Sequence, residues 1–171
     1  MNVSLALEAD RAGDAVKAAE LYEGSIAAGV ADKDIILNLS IIYWQACSFG
    51  FAAAHRLPES FVNKAEQRYR QLLADALSVY GNDASVVFWH RYIQALDFGE
   101  EFTAEDCADV RRLNDRADEL ALCDADNLET SVLQDVSEKF RRVGTFRYVY
   151  LADVLDGILK RKLARERREN R

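Results

Sequence analysis

An all-α fold follows from three observations on this chain. Apolar residues recur at three- and four-residue spacing along almost all of its 171 residues, no convincing period-two stretch occurs, and Pro58 is the single proline. Hydrophobic residues make up 50% and charged residues 30%, a globular balance rather than a disordered one. A chain of this length suits one domain that buries roughly 70% of the surface its unfolded form exposes, so a core needs no covalent staples.

The spacing predicts about eight helices. The first two cover about Val3 to Ala12 and Asp14 to Ala28, separated by Gly13 and stopped near Gly29. The third, about Lys33 to Cys47, is apolar nearly all round through Ile35, Leu37, Leu39, Ile41, Ile42 and Tyr43, as expected of a helix buried between neighbours. From Ser48 to Leu57 helix and loop are both compatible with the pattern. Pro58 suits the first turn of a fourth helix reaching Tyr80. After the stop and cap of Gly81-Asn82-Asp83, a fifth helix carries Val86, Trp89, Tyr92, Ile93 and Leu96 on one face and ends at Phe98-Gly99. Thr103 to Asp106 has the spacing of a capping box, which starts a sixth helix expected to run to about Leu122. A seventh follows the polar break Asp124 to Asn127 and ends at Gly144. The eighth runs from about Thr145 into a basic tail, residues 160–171, expected to fray beyond a domain of residues 1–159 because Leu163 is its last strongly apolar anchor.

Charge and cysteine usage narrow the function classes. The net charge is −7, but from Lys160 to Arg171 seven Lys or Arg residues face only Glu166 and Glu169, so the tail is +5 and the remainder −12. An acidic body disfavours general nucleic-acid binding by that body. Cys47, Cys107 and Cys123 are odd in number and lack CxxC spacing, which points to free thiols in a reducing compartment. The start carries no basic, apolar leader pattern, and no window approaches a membrane span, so the expected location is cytoplasmic.

The first two helices have a further property. Leu5-Ala6 and Ala9 precede the Gly13-Asp14 turn, with Ala18 and Tyr22 after it. Ile36, Leu39-Ser40 and Tyr43 repeat the first half of this pattern, and Ala65 with Tyr69 the second. Trp89, Tyr92-Ile93 and Leu96, followed by Ala117 and Ala121, and then Leu133, Val136-Ser137 and Phe140, give weaker third and fourth copies. This arrangement resembles the tetratricopeptide repeat, without the repeat proline and with 22 and 21 residues between the halves of the middle copies. The resemblance implies a right-handed stack of about four antiparallel helical hairpins around a concave groove.

Carried over position by position, the resemblance places Arg11, Asn38, Gln45, Arg91, Gln94 and Arg142 along that groove. Such a row suits an acidic or carboxylate-bearing segment held by charge-assisted hydrogen bonds; a solvated helix face is the simpler alternative. The family's carboxylate-clamp set does not recur. His55 and His90 have no carboxylate or nucleophile at fixed helical spacing, so no catalytic unit is read, and the histidines and cysteines make no zinc pattern. No cofactor is expected. The implied function is a non-enzymatic adaptor or small client-binding chaperone with a protein or peptide partner. The alternative is a nucleic-acid accessory protein using Lys160, Arg161, Lys162, Arg165, Arg167 and Arg168 with exposed arginines. A third expectation is a homodimer formed through the apolar stripe Leu151, Leu155, Ile158 and Leu159.

Overall fold

Short polar side chains begin five of the ten helices among the described residues, each by accepting backbone N–H groups that lack an intrahelical partner. Asp14, Asp32, Ser48 and Asp83 do this for α2 (Ala15–Ala27), α3 (Lys33–Ala46), α4 (Phe49–Ala54) and α6 (Ala84–Phe98). Thr103 and Asp106 form the expected reciprocal capping box at the start of α7 (Ala104–Leu113). Gly99 and Gly144, at φ 67° and 75°, end α6 and α9 (Thr130–Val143) in the left-handed conformation that a side chain resists. The remaining helices are α1 (Val3–Arg11), α5 (Glu59–Tyr80), α8 (Leu120–Asp124) and α10 (Phe146–Glu169). The computed structural model describes residues 3–169, and among them there are ten helices and no strand.

Two differences from the expected count have local causes. The ambiguous stretch after Ser48 forms the short helix α4, begun by the Ser48 cap. The expected sixth helix divides into α7 and α8 because Asn114 leaves the helical region at φ −156° and ψ 110°, its side chain accepting from Arg116 N at 3.0 Å. Asn competes for backbone groups in this way, and an apolar period cannot reveal it. The basic tail is helical through Glu169, and Lys162 holds it down by donating to the carbonyls of Ala125, Asp126 and Leu128.

Neighbours in sequence pack together, α1 on α2, α2 on α3, α5 on α6, α6 on α7 and α9 on α10, and α5 packs on α3 across the short α4. The last helix also lies against α3 and α8. Its start is buried on several sides, with Phe146 beside Phe51 and His55, and Tyr150 against Trp44 and Trp89. Leu151 and Leu155 are fully buried within the chain, so the stripe expected to dimerise is spent at those two positions on the internal core. Trp89, Tyr22, Tyr43, Phe88 and Phe140 are the largest side chains of that core.

Two buried polar clusters join distant parts of the chain. Asp10, 1% exposed, accepts from Phe146 N at 2.6 Å and from the Tyr22 hydroxyl at 2.8 Å; Asn38 donates to the same hydroxyl at 3.2 Å. Glu119, also 1% exposed, accepts from the Trp89 indole at 3.1 Å and the Ser85 hydroxyl at 2.9 Å. Arg147 is 4% exposed and donates to Asp34 at 2.9 Å.

Candidate functional site

The candidate site is a pair of adjoining depressions that meet at Asp97, in the last turn of α6. One, about 240 Å³, lies between α5 and α6 and is lined by Tyr69, Arg70, Leu73, His90, Gln94 and Phe98, among others. The other, about 340 Å³, is lined by Trp44, Gln45, Cys47, Ser48 and Tyr150. Helical spacing produces this arrangement: Leu73 follows Tyr69 by four residues, and Gln94 and Phe98 follow His90 by four and eight, so each set occupies one face of its helix. Tyr150 closes the second depression from α10, with its ring 5.0 Å from that of Trp44.

Asp97 holds the walls in place. It accepts from Trp44 Nε1 at 3.2 Å and from the Tyr69 hydroxyl at 2.5 Å, with Arg70 at 3.7 Å. Both carboxylate oxygens are therefore engaged, and the side chain is 19% exposed. Burial and this carboxylate raise the Tyr69 hydroxyl well above the usual phenol range, so it stays a neutral donor. Burial pushes the Cys47 thiol up to about 11, and Glu66 and Asp97 add to the rise. The thiol is accordingly a poor nucleophile near neutral pH. Burial, with Arg91 beside it, lowers the pKa of His90 below its ordinary value and keeps the ring uncharged. The lining of the two depressions is thus largely apolar and aromatic with neutral amides, and its charges are the paired Arg70 and Asp97. Comparisons with protein-family models, with curated proteins and with solved structures found no match.

The six expected groove residues do not share one surface. Gln45 and Gln94 line the two depressions, one in each. Gln45 Nε2 is buried without a hydrogen-bond partner among the described residues, which leaves a donor facing inward. Asn38 corrects the expectation: it is 4% exposed and spends its amide on Tyr22, because α3 is enclosed where the groove would run. Arg91 is tied to Asp106 and Asp109 of α7 by ion pairs at 3.3 and 2.5 Å. Arg11 donates to Val143 O at 3.1 Å, bridging the ends of α1 and α9, and Arg142 is exposed on α9. Among the tail residues, Arg161, Lys162 and Arg165 line a separate depression with Asp126 and Ile158, while Lys160, Arg167 and Arg168 are exposed.

Sequence reasoning missed Trp44, Tyr69, Asp97 and Tyr150 as a group. The repeat positions had already marked Tyr69 as a packing residue, and Asp97 reads as one acidic residue near a helix end. Nothing in the sequence signals that α10 returns to place Tyr150 beside Trp44. The cysteine reading is also corrected. Cys107 and Cys123 form a disulfide, with Cα atoms 5.7 Å apart, and Cys47 alone is free. The break at Asn114 turns α8 back toward α7 and brings together two thiols that an unbroken helix would hold apart.

Proposed function

We propose that the protein is a non-enzymatic binding module whose stacked helical pairs present the Asp97 depressions to a peptide segment or partner helix. Phe98 carries the reading: it is 62% exposed beside a depression already shaped by Tyr69, Leu73 and Gln94. A large aromatic left in water next to a concave, mostly apolar surface is the residue type and setting that dominate binding energy at protein interfaces. Gln94 is exposed at the same rim, where its amide can pair with a partner's main chain. Tyr69, Cys47 and His90 are held neutral and Arg70 is paired with Asp97, which favours capture of apolar side chains with main-chain hydrogen bonds over chemistry on a substrate. An adaptor or a single-client chaperone uses such a surface.

The test is selection from a displayed random-peptide library on the immobilised protein, followed by affinity measurement of the enriched peptides. Phe98→Asp is expected to weaken them at least tenfold and Gln94→Ala by a smaller factor, with Arg142→Ala unchanged. Enriched peptides that bind Phe98→Asp as tightly as the parent would refute the site.

A second reading, a nucleic-acid accessory role, draws on the tail. Arg161 and Arg165 stand one helical turn apart with no carboxylate within ion-pair distance among the described residues. Against it, Asp126 lines the same depression and Lys162 is committed to three backbone carbonyls.

A further inference from the structure

Cys107 on α7 and Cys123 on α8 are sixteen residues apart in sequence and joined by a disulfide, and both residues are half-buried, within reach of small solutes. The segment they close buries few side chains fully, with Ala117, Ala121, Leu122 and Cys123 packed only in part against the core. Val110 is the buried residue of α7 and Leu120 that of α8, and residues 111–116 between them are exposed. A second tie across the same junction, Arg111 to Asp124 at 2.6 Å, is largely exposed, and such pairs hold little on their own. Arg91 anchors the other end of α7 through Asp106 and Asp109.

This lightly held segment nevertheless delivers Glu119 into the interior. Glu119 satisfies the indole N–H of Trp89, which is fully buried, and the hydroxyl of Ser85. The neighbouring Asp118 accepts from Lys139 at 2.6 Å and from the Tyr148 hydroxyl at 3.1 Å. Covalent closure around Glu119 therefore restrains a stretch with two fully buried apolar side chains and an exposed middle, while Glu119 completes a core hydrogen bond.

We propose that Cys107 and Cys123 are a site of reversible oxidative modification that sets how firmly the α7–α8 segment holds Glu119 against Trp89. The oxidant class is a low-molecular-weight disulfide. The thiolate of one cysteine attacks a sulfur of that disulfide, forming a mixed disulfide and expelling one thiolate. The thiolate of the second cysteine then attacks the protein sulfur of the mixed disulfide and expels the other. In balance, the protein loses two electrons and two protons, and the disulfide becomes two thiols. A dithiol runs the sequence backward and frees the segment. In chain-entropy terms, closing a loop of this length restrains the opened segment on the order of a hundredfold.

The experiment uses the 171-residue chain carrying Cys47→Ser, so that one pair can form. The protein is reduced with dithiothreitol, desalted, and part is exposed to oxidised glutathione; intact mass, helix content by circular dichroism, and amide hydrogen exchange are read on both forms. The expected result is a product two hydrogens lighter without bound glutathione, equal helix content, and exchange over residues 107–124 at least tenfold faster in the reduced form. Retained glutathione adducts would overturn the proposal, as would equal exchange in the two forms. Global loss of helix on reduction would overturn it too, since the bond would then be a staple for the whole fold. Cys107→Ser in the same background must reproduce the fast exchange of the reduced form; protection like that of the oxidised form would also overturn the proposal.

Discussion

The Asp10 cluster makes the protein's stability depend on pH in a direction opposite to that of an ordinary salt-bridged carboxylate. Burial raises the Asp10 carboxyl from 3.8 to about 6, outweighing the lowering by the Phe146 N–H, the Tyr22 hydroxyl and the charges of Arg147 and Arg11. The folded protein thus takes up this proton near pH 6, whereas the unfolded chain takes it up near its ordinary value of 3.8. Between these limits the folded state holds more protons. The group's contribution to stability is fully present below pH 3.8 and is lost as pH rises through about 6. The displacement corresponds to about 3 kcal/mol, an order-of-magnitude figure for a side chain with almost no solvent exposure.

Asp10→Asn isolates this contribution. The amide still places an acceptor near Phe146 N but does not ionise, so the variant's stability carries every other titration and lacks this one. Urea denaturation of both proteins from pH 4 to pH 7 gives the comparison. As pH rises across that range, the variant is expected to gain on the parent by about 2 kcal/mol, most of the full displacement, whatever the absolute cost of the substitution. Parallel stability curves would refute the reasoning, and so would a carboxyl carbon resonance of Asp10 that titrates below pH 4.

Two further substitutions test the other polar anchors. Glu119→Ala strands the buried Trp89 indole N–H, which is expected to cost about 1–3 kcal/mol in urea denaturation and to shift the tryptophan emission; an unchanged midpoint would show that the indole finds another acceptor. Lys162→Met keeps the apolar stem but removes the donor shared by three carbonyls. It is expected to cost about 1 kcal/mol and to speed amide exchange near residues 125–128, and unaltered exchange there would place the anchor elsewhere.

What the sequence made legible was local. Helix periods, the Thr103 capping box and the stops at Gly99 and Gly144 are set by residues within a few positions of one another, and the structure has them where the pattern places them. Asn38 shows where that legibility ends. Its spacing in α3 fits a groove position, yet whether that face is open depends on residues more than a hundred positions away, in the turn that leads Phe146 onto Asp10. The same holds for Arg91, whose side chain is free or paired according to where α7 docks. Of the residues lining the depressions, Gln45 and Gln94 were read from helix spacing. Tyr150 was not, because its role exists only once α10 has packed.

The first turns of α10 decide both the fold's closure and the form of the site. Residues 146–150 cover rather more than one helical turn, so their side chains point in all directions around the axis. Phe146 N reaches Asp10 of α1, Arg147 reaches Asp34 of α3, Tyr148 reaches Asp118 ahead of α8, and the Tyr150 hydroxyl lies 3.1 Å from that of Tyr92 on α6. A segment in contact on every side cannot leave an open trough where it lies. The two depressions that meet at Asp97 lie toward the ends of α3 and α6, where Trp44, Asp97 and Phe98 stand. A partner bound there would touch Tyr150 and so contact the same helix that carries the Asp10 and Arg147 ties. If a peptide captured at these depressions is coupled to the Asp10 tie, its affinity for the parent shifts with pH and its affinity for Asp10→Asn does not; equal shifts in the two proteins would show the site and the tie to be independent.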